Sequence, residues 1–277
     1  MEQLSASQPH NASLRRDLML AYGHVADVSG NPNLENLGDR AGALTAYRRA
    51  AEIGKALYDA DPANEQAGAD YGIVLSRVAT AMDDGDLEAK VAAHRESLRV
   101  LDNVARISPT NVSLQLYRAY GNQQLGDTLK MSGNHEAAEK AYADAGAIAE
   151  SSRKSGQIAF VTLVVMSNLR LAQNSIARAH RGEALVFARR AFEASTELPH
   201  GTVSPFMAPR GLAAMGLTYA ALARSPLRQP NDRDQALSWL HKSLDGWHRV
   251  QAEPSFSAIH QREVREVEDM LAKLERR

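Results

Sequence analysis

An internal repeat constrains this chain more than any other feature of its sequence. Tyr47-Arg48-Arg49-Ala50 is followed by Asp61-Pro62-Ala63-Asn64, and 47 residues further on His94-Arg95-Glu96-Ser97 is followed by Ser108-Pro109-Thr110-Asn111. The distance to the proline is the same in both copies. A repeat array buries its core between successive units, so its length is not limited as that of a single globular core is. The repeat therefore predicts that the 277 residues form an array of similar units.

A trio of mostly small side chains at helical spacing marks five copies of the unit. The trios are Ala43, Tyr47 and Ala50; Lys90, His94 and Ser97; Ala138, Tyr142 and Ala145; Ala184, Ala188 and Ala191; and Ala236, Leu240 and Ser243. Small residues let two helices cross closely while a bulky partner fills the gap opposite. Aromatic residues make up only 5% of the chain, which favours helices over sheets. The pattern predicts an all-α fold.

On this register the chain resembles the tetratricopeptide repeat family over nearly its whole length, with Leu125-Gly126 ahead of the third trio and Met215-Gly216 ahead of the fifth. The resemblance implies a right-handed α-solenoid of five helical hairpins with a C-terminal capping helix. We expect a disordered N-terminus (1–12), repeats at 13–62, 63–109, 110–156, 157–205 and 206–257, and the cap at 258–277. The second helices are longer than in the family, and repeats 1 and 5 carry inserted loops between their helices.

The amino-acid sequence of repeat 1 further resembles the tetratricopeptide regions that follow the catalytic domain in some bacterial serine/threonine protein kinases. The segments that carry this resemblance are GNPNLENLGDRAGALTAYRRAAEI and the following ADPANEQA. The sequence contains no glycine-rich phosphate loop, HRD motif or DFG motif of a kinase. The resemblance leaves two readings open, a stand-alone scaffold or a docking segment of such a kinase.

Two further segments are predicted from their hydrophobic pattern. In the tail, Val264, Val267, Leu271 and Leu274 share one face of a helix whose other face is charged, as expected of a capping helix. The apolar run 159–166 is short and β-branched, but the repeat register assigns it to the first helix of repeat 4. We expect that helix to lie in the core.

Charge and composition limit the functions that the chain can have. Lys plus Arg (32) balance Asp plus Glu (33), so no long-range field attracts nucleic acid or a membrane. No cysteine is present, which excludes disulfides and thiolate chemistry. The start of the chain lacks the pattern of a signal peptide, and we expect a cytoplasmic protein. Ser151-x-x-Lys154 lacks the other elements of a serine-lysine nucleophile, so we expect no enzyme and no cofactor.

Three local patterns match ligand-binding motifs only in part. His241, Asp245 and His248 share a helix face, but no fourth ligand accompanies them. The acidic run 83–88 has its glycine too early for a calcium loop, and we interpret it as a turn that begins a helix. Residues 121–126 have the spacing of a phosphate loop, but Asp127 stands where lysine is required. We therefore expect no metal site.

The binding site of this family lies on the first helices, which form the concave wall. Carrying over the family positions selects Asp17, His24, Asp27, Tyr120, Gln123, Asp127, Lys130, Leu169, Gln173, Ile176, Arg210 and Leu217. The resemblance implies a non-catalytic scaffold that binds a protein or peptide in this groove. We expect apolar anchors near Leu169 and Ile176, and Tyr120 and Gln123 to face solvent. The sequence gives neither the identity of the partner nor the oligomeric state.

Overall fold

In the computed structural model, residues 3, 7, 8, 10–32, 34, 36–198 and 204–276 are described, and they contain eleven α-helices and no strand. The helices are α1 (Ala12–Gly30), α2 (Arg40–Ala60), α3 (Glu65–Ala81), α4 (Leu87–Ile107), α5 (Val112–Met131), α6 (His135–Ser152), α7 (Ile158–Ala177), α8 (Arg181–Thr196), α9 (Met207–Ala223), α10 (Asp232–Val250) and α11 (Ala258–Glu275). The predicted all-α class is confirmed. Residues 1, 2, 4–6 and 9 of the predicted disordered N-terminus lie outside the described residues.

The repeated proline motif begins the first helices. Asn64, two residues after Pro62, accepts a hydrogen bond from the backbone N–H of Ala67 at 3.0 Å. Asn111, two residues after Pro109, accepts one from the backbone N–H of residue 114 at 3.0 Å. Such N-caps satisfy a backbone donor that has no partner within the helix. The motif is therefore a helix-start signal that recurs with the repeat.

All fifteen side chains of the five trios are buried, as the repeat register predicts. Where the third member is serine, its hydroxyl is satisfied by the first helix of the same hairpin. Ser97 Oγ donates to the backbone oxygen of Gly72 at 2.7 Å, and Ser243 Oγ donates to that of Pro209 at 2.8 Å. A buried hydroxyl without such a partner would destabilise the hairpin.

Repeat 2 has polar side chains at all three trio positions, whereas the other repeats have alanine, tyrosine or leucine there, apart from Ser243. Lys90 remains paired, since its Nζ lies 2.5 Å from Asp84 Oδ1. His94 is only 1% exposed, and within the described part of the chain its Nδ1 has no hydrogen-bond partner. Burial, and then the charge of Lys90, lower the pKa of His94 to about 4. The imidazole is therefore neutral in the folded protein at pH 7.

We expect the protein to lose stability as the pH falls from 6.5 to 4 because of His94. The unfolded chain binds a proton on this residue near pH 6.5 and the folded chain only near pH 4, so protonation favours unfolding in this window. The loss attributable to His94 is about 3 kcal/mol at pH 4. Urea unfolding of the wild type and of His94→Gln between pH 7 and 4 would measure it. Equal pH dependence in the two proteins would contradict this expectation.

The chain divides into an N-terminal unit (Met1–Asn134) and a C-terminal unit (His135–Arg277). Within the N-terminal unit each of the helices α1 to α5 packs on the next, and within the C-terminal unit the same holds from α6 to α11. The boundary falls in the loop between α5 and α6, inside the predicted third repeat. Sequential packing of this kind is the defining property of a repeat array.

The C-terminal helix closes the array as predicted. Its apolar side chains at 264, 267, 271 and 274 are all buried, and Arg233 donates from Nε and Nη2 to the backbone oxygen of Leu274 at 3.1 and 2.9 Å. The outer side carries Arg262, Arg265 and Glu268, which are exposed. The helix therefore presents a polar surface beyond the last hairpin, as a capping helix must.

The apolar run 159–166 lies within α7, and its side chains at 160, 161, 163, 164 and 165 are buried. The helical interpretation and the expected place in the core are both confirmed. A strand-like composition is overridden here because both flanking helices, α6 and α8, pack on this segment.

Candidate functional site

Side-chain pairs join the first helices of the N-terminal unit. Arg16 on α1 lies against Asp70 on α3, with Nε 2.6 Å from Oδ2. Ser76 on α3 donates to Gln124 Oε1 on α5 at 3.0 Å. Helices α1, α3 and α5 therefore form one continuous surface, which we call the first-helix surface. This is the wall on which the sequence places the binding residues of repeats 1 and 3.

Asp27, a predicted groove residue, holds repeat 1 together. Its carboxylate accepts hydrogen bonds from the Tyr47 hydroxyl at 2.5 Å and the Asn31 side chain at 2.8 Å, and it pairs with Arg77 at 3.1 Å. Burial, and then the hydrogen bond to Asp27, raise the pKa of Tyr47. Asp27 thus links α1, α2 and α3 through hydrogen bonds and an ion pair.

Asp17 and His24 are exposed, but they lie on the side of α1 opposite its buried face. The buried positions of α1 are Met19, Gly23, Ala26 and Gly30. On a helical wheel, the centre of these four buried positions lies about half a turn around the helix from positions 17 and 24. The two residues therefore point outward from the first hairpin.

Helix α5 presents two tyrosines on the first-helix surface. Tyr117 is 39% exposed and Tyr120 is 41% exposed, as expected for Tyr120. Gln123 was expected to face solvent beside it, and this is wrong, because its side chain is only 5% exposed. Ala119 and Gly126, one helical turn to either side of Gln123, are buried as well. Asp127 and Lys130 are half-buried.

A cavity of about 520 Å³ lies between the N-terminal halves of α3 and α5, beside Tyr117. Its lining is Glu65, Gln66, Ala69, Asp70, Ile73, Asn111, Ser113, Leu114 and Tyr117. The Glu65 carboxylate accepts hydrogen bonds from the Ser108 hydroxyl and from Asn111 Nδ2, and these bonds lower the pKa of Glu65. The cavity therefore combines an apolar floor, a fixed carboxylate and an exposed aromatic ring.

The C-terminal unit buries Leu169, one of the two residues that were expected to anchor a partner. Leu169 and Leu217 are 8% and 6% exposed, so they belong to the core. The expectation of an apolar anchor at Leu169 is therefore wrong, because a solenoid buries most of its leucines between repeats. Gln173 and Ile176 are half-buried.

Arg210, the remaining groove residue of the C-terminal unit, is held by the capping helix. Its Nε lies 2.9 and 3.1 Å from the two carboxylate oxygens of Glu263, and its guanidinium carbon lies 5.9 Å from the Trp247 ring centroid. Burial raises the pKa of Glu263 despite this pair. Arg210 therefore ties α9 to α10 and α11.

A second cavity, of about 420 Å³, lies between the second helices α6 and α8 of the C-terminal unit, with α7 beneath it. Ala143, Gly146 and Ala147 line one wall. Arg190 lies over the Phe187 ring on the other wall, 5.7 Å from its centroid. Sequence reasoning missed this cavity, because the family pattern directs attention to the first helices.

The acidic run 83–88 begins a helix, as the sequence predicted. Asp86 is the N-cap of α4 and accepts from the backbone N–H of Ala89 at 3.0 Å, while Asp83 accepts from the N–H of Gly85 at 2.7 Å. His241 and His248 are exposed on α10, and His241 Nε2 lies 3.4 Å from Glu275. Among the described residues, no group of three or more His, Asp or Glu side chains is arranged to hold a metal ion.

Comparison with known proteins supports the fold. No family model matches the sequence, and no curated protein matches it. The chain is similar to the crystal structure of BtubC (BKLC) from P. vanneervenii, with 17% identity, 93% of this chain and 90% of that chain covered, and a TM-score of 0.57. It is also similar to the apo form of RapI, with 13% identity, 98% and 90% covered, and a TM-score of 0.50. The chain has the fold of a helical-repeat protein. In the described segments, no helix is both long enough and apolar enough to cross a bilayer.

Proposed function

We propose that this chain is a non-catalytic scaffold that binds a protein or peptide segment on its first-helix surface. The observation that carries the proposal is the pair of exposed tyrosines, Tyr117 and Tyr120, beside the cavity between α3 and α5. Tyrosine offers a large apolar area and a hydroxyl at little cost in conformational entropy, and it is enriched at binding hot spots. The cavity next to the rings can receive one side chain of a bound segment.

The surrounding surface favours a peptide over nucleic acid or a membrane. Arg16 pairs with Asp70 and Arg77 pairs with Asp27, so the charges of these two guanidinium groups are already neutralised and are less available to contact phosphates. The same pairs hold the helices in place, so that the surface is formed before a ligand arrives. The residues on it are suited to contact a ligand, and we propose no reaction for them.

Replacing both Tyr117 and Tyr120 by alanine should weaken binding about tenfold or more, because exposed aromatic anchors contribute most of the affinity of such surfaces. Peptides selected from a displayed random library on the wild-type protein would provide the ligands. Calorimetric titration would then compare the wild type, the double variant and Val186→Ala, an exposed apolar position on α8 that serves as the control. Unchanged affinity in the double variant, at unchanged helicity, would show that ligands bind elsewhere.

The alternative prediction is that this chain is a docking segment of a bacterial serine/threonine kinase. That prediction depends only on the amino-acid sequence of repeat 1. In that case the same surface would bind a substrate or regulator of the kinase. Sequencing the full gene and testing the full-length product for phosphotransfer would decide between the two readings.

A further inference from the structure

The outward face of α1 carries an apolar stripe, in which Val25 and Val28 are exposed and Leu14, Leu18 and Ala21 are half-buried. With 3.6 residues per turn, seven residues share an arc of about 120°. They are Leu14, Asp17, Leu18, Ala21, His24, Val25 and Val28. Val25 and Val28 are 59% and 58% exposed, and Leu37, 82% exposed, extends the stripe because its N–H donates to the backbone oxygen of Val28 at 3.0 Å.

In repeat 5 the same helix face is covered. The repeat register that aligns Gly23 with Gly216 aligns the stripe positions 14, 18, 21 and 25 of α1 with Met207, Gly211, Ala214 and Thr218 of α9. All four are buried. Gly211 faces the preceding helix α8 so closely that a Cβ built on it would lie 2.6 Å from Ser195 Cβ. The face is therefore the one on which a neighbouring helix docks within the array.

The outer faces of α1 and α11 differ. Helix α11 turns charged side chains outward, whereas α1 turns the exposed Val25 and Val28 outward. An exposed apolar face promotes association. Val25, Val28 and Leu37 therefore form the part of the stripe that the described residues leave open to a partner.

The stripe is complementary to itself about Ala21. Leu14 and Val28 lie seven residues to either side of it, and Asp17 and His24 lie four before and three after. An antiparallel pair of α1 helices related by a two-fold axis at Ala21 places Leu14 against Val28 of the second copy. The same arrangement brings each Asp17 beside the other copy's His24, and the small side chain at the axis allows a close crossing.

We propose that α1 is the interface of a homodimer, in which two copies pair through this stripe in antiparallel orientation. In this arrangement Asp17 lies beside His24 and Leu14 lies against Val28 of the other copy. This complementarity favours a second copy of the chain as the binding partner over an unrelated helix. Asp17 and His24, which the family alignment assigned to the groove, then contact the other subunit. The proposal is independent of the peptide-binding surface on α5, and a failure of either leaves the other standing.

A cysteine at the axis tests the geometry directly, because the chain contains none of its own. Ala21→Cys places two thiols side by side across the axis, so mild oxidation should convert most of the protein into a disulfide-linked dimer. Val186→Cys, at an exposed position of α8, is the matched control and should remain mostly uncrosslinked. Equal crosslinking of the two variants, or none of Ala21→Cys, would overturn the proposal.

Sedimentation velocity between about 1 and about 100 µM tests the association itself, because dimer formation depends on protein concentration. We expect Val25→Glu to raise the dimer Kd about tenfold or more, and Asp17→Arg to do so because His24 loses its carboxylate partner. The double variant Asp17→Arg/His24→Glu should recover the dimer, which a variant that merely unfolds α1 would not. A wild-type protein that stays monomeric over this range, with normal helicity, would overturn the proposal.

Discussion

Replacing Arg181 by alanine is expected to lower the free energy of unfolding by about 3 to 5 kcal/mol, because it leaves a buried carboxylate without its partner. Arg181 begins α8, and its two terminal nitrogens each lie 2.7 Å from one oxygen of Asp232. Asp232 is 2% exposed. Its other contact is the backbone N–H of Gln229 at 2.7 Å, which cannot replace the charge.

The ionisation of Asp232 shows how strongly the pair depends on Arg181. Burial opposes the charged form, yet the hydrogen bonds from Arg181 and from the Gln229 N–H lower the pKa of Asp232 below its ordinary value. Removing the guanidinium leaves the opposing effect of burial in place. The C-terminal unit must then take up a proton at this carboxyl or open the loop around it.

Urea unfolding followed by circular dichroism would measure the loss, with two comparisons. Arg49→Ala removes a surface pair with Glu52, in which both side chains are 64% exposed, and should change stability by less than about 0.5 kcal/mol. The double variant Arg181→Met/Asp232→Leu should be more stable than Arg181→Ala, because no buried charge remains. If Arg181→Ala matches Arg49→Ala, the buried pair does not contribute as argued.

The helices and their register could be predicted from the sequence because each depends on local signals. The proline motifs with Asn64 and Asn111 begin helices wherever they occur, and the five trios mark the face on which each second helix packs. Even the degraded trio of repeat 2 lies in the predicted buried position. Local spacing and capping are properties of a short segment, so no tertiary information was needed.

The candidate site could be predicted less well, because exposure depends on what lies opposite a side chain. The family alignment selects the first helix but does not tell whether a neighbour covers the selected position. Gln123 and Leu169 are covered by neighbouring side chains, and Arg210 forms an ion pair with Glu263 of the capping helix. Tyr117 was missed because it lies outside the aligned positions, although an aromatic residue near a helix start is a signal in the sequence that could have found it.

Close contacts between helices are another property that the sequence does not reveal. The Leu-Gly pattern singled out Gly216, where a Cβ would lie 2.6 Å from Leu240 Cγ of α10, but it did not single out Gly211, which lies against α8. A Cβ built on Gly211 would lie 1.9 Å from Ser195 Oγ, 2.6 Å from Ser195 Cβ and 3.2 Å from the Cα of Phe192. The Ser195 hydroxyl itself donates to the backbone oxygen of Phe192 at 2.6 Å. Only the three-dimensional arrangement identifies this position.

We therefore expect Gly211→Ala to destabilise the protein by about 3 kcal/mol, although alanine is the better helix former, because one methyl group forces α8 and α9 apart. Gly182→Ala on α8 is the control, since a Cβ there has no atom within 4 Å and should stabilise slightly. Ser195→Gly removes the atoms that the new methyl meets, so the double variant Gly211→Ala/Ser195→Gly should regain much of the loss relative to Ser195→Gly alone. Thermal and urea unfolding of the wild type, Gly211→Ala, Ser195→Gly and the double variant would give the coupling energy between the two positions. The two single variants could instead lose amounts of free energy of unfolding that simply add in the double variant. That result would show that the Gly211 methyl group does not clash with Ser195, and that the close approach at Gly211 does not stabilise the contact between repeats 4 and 5.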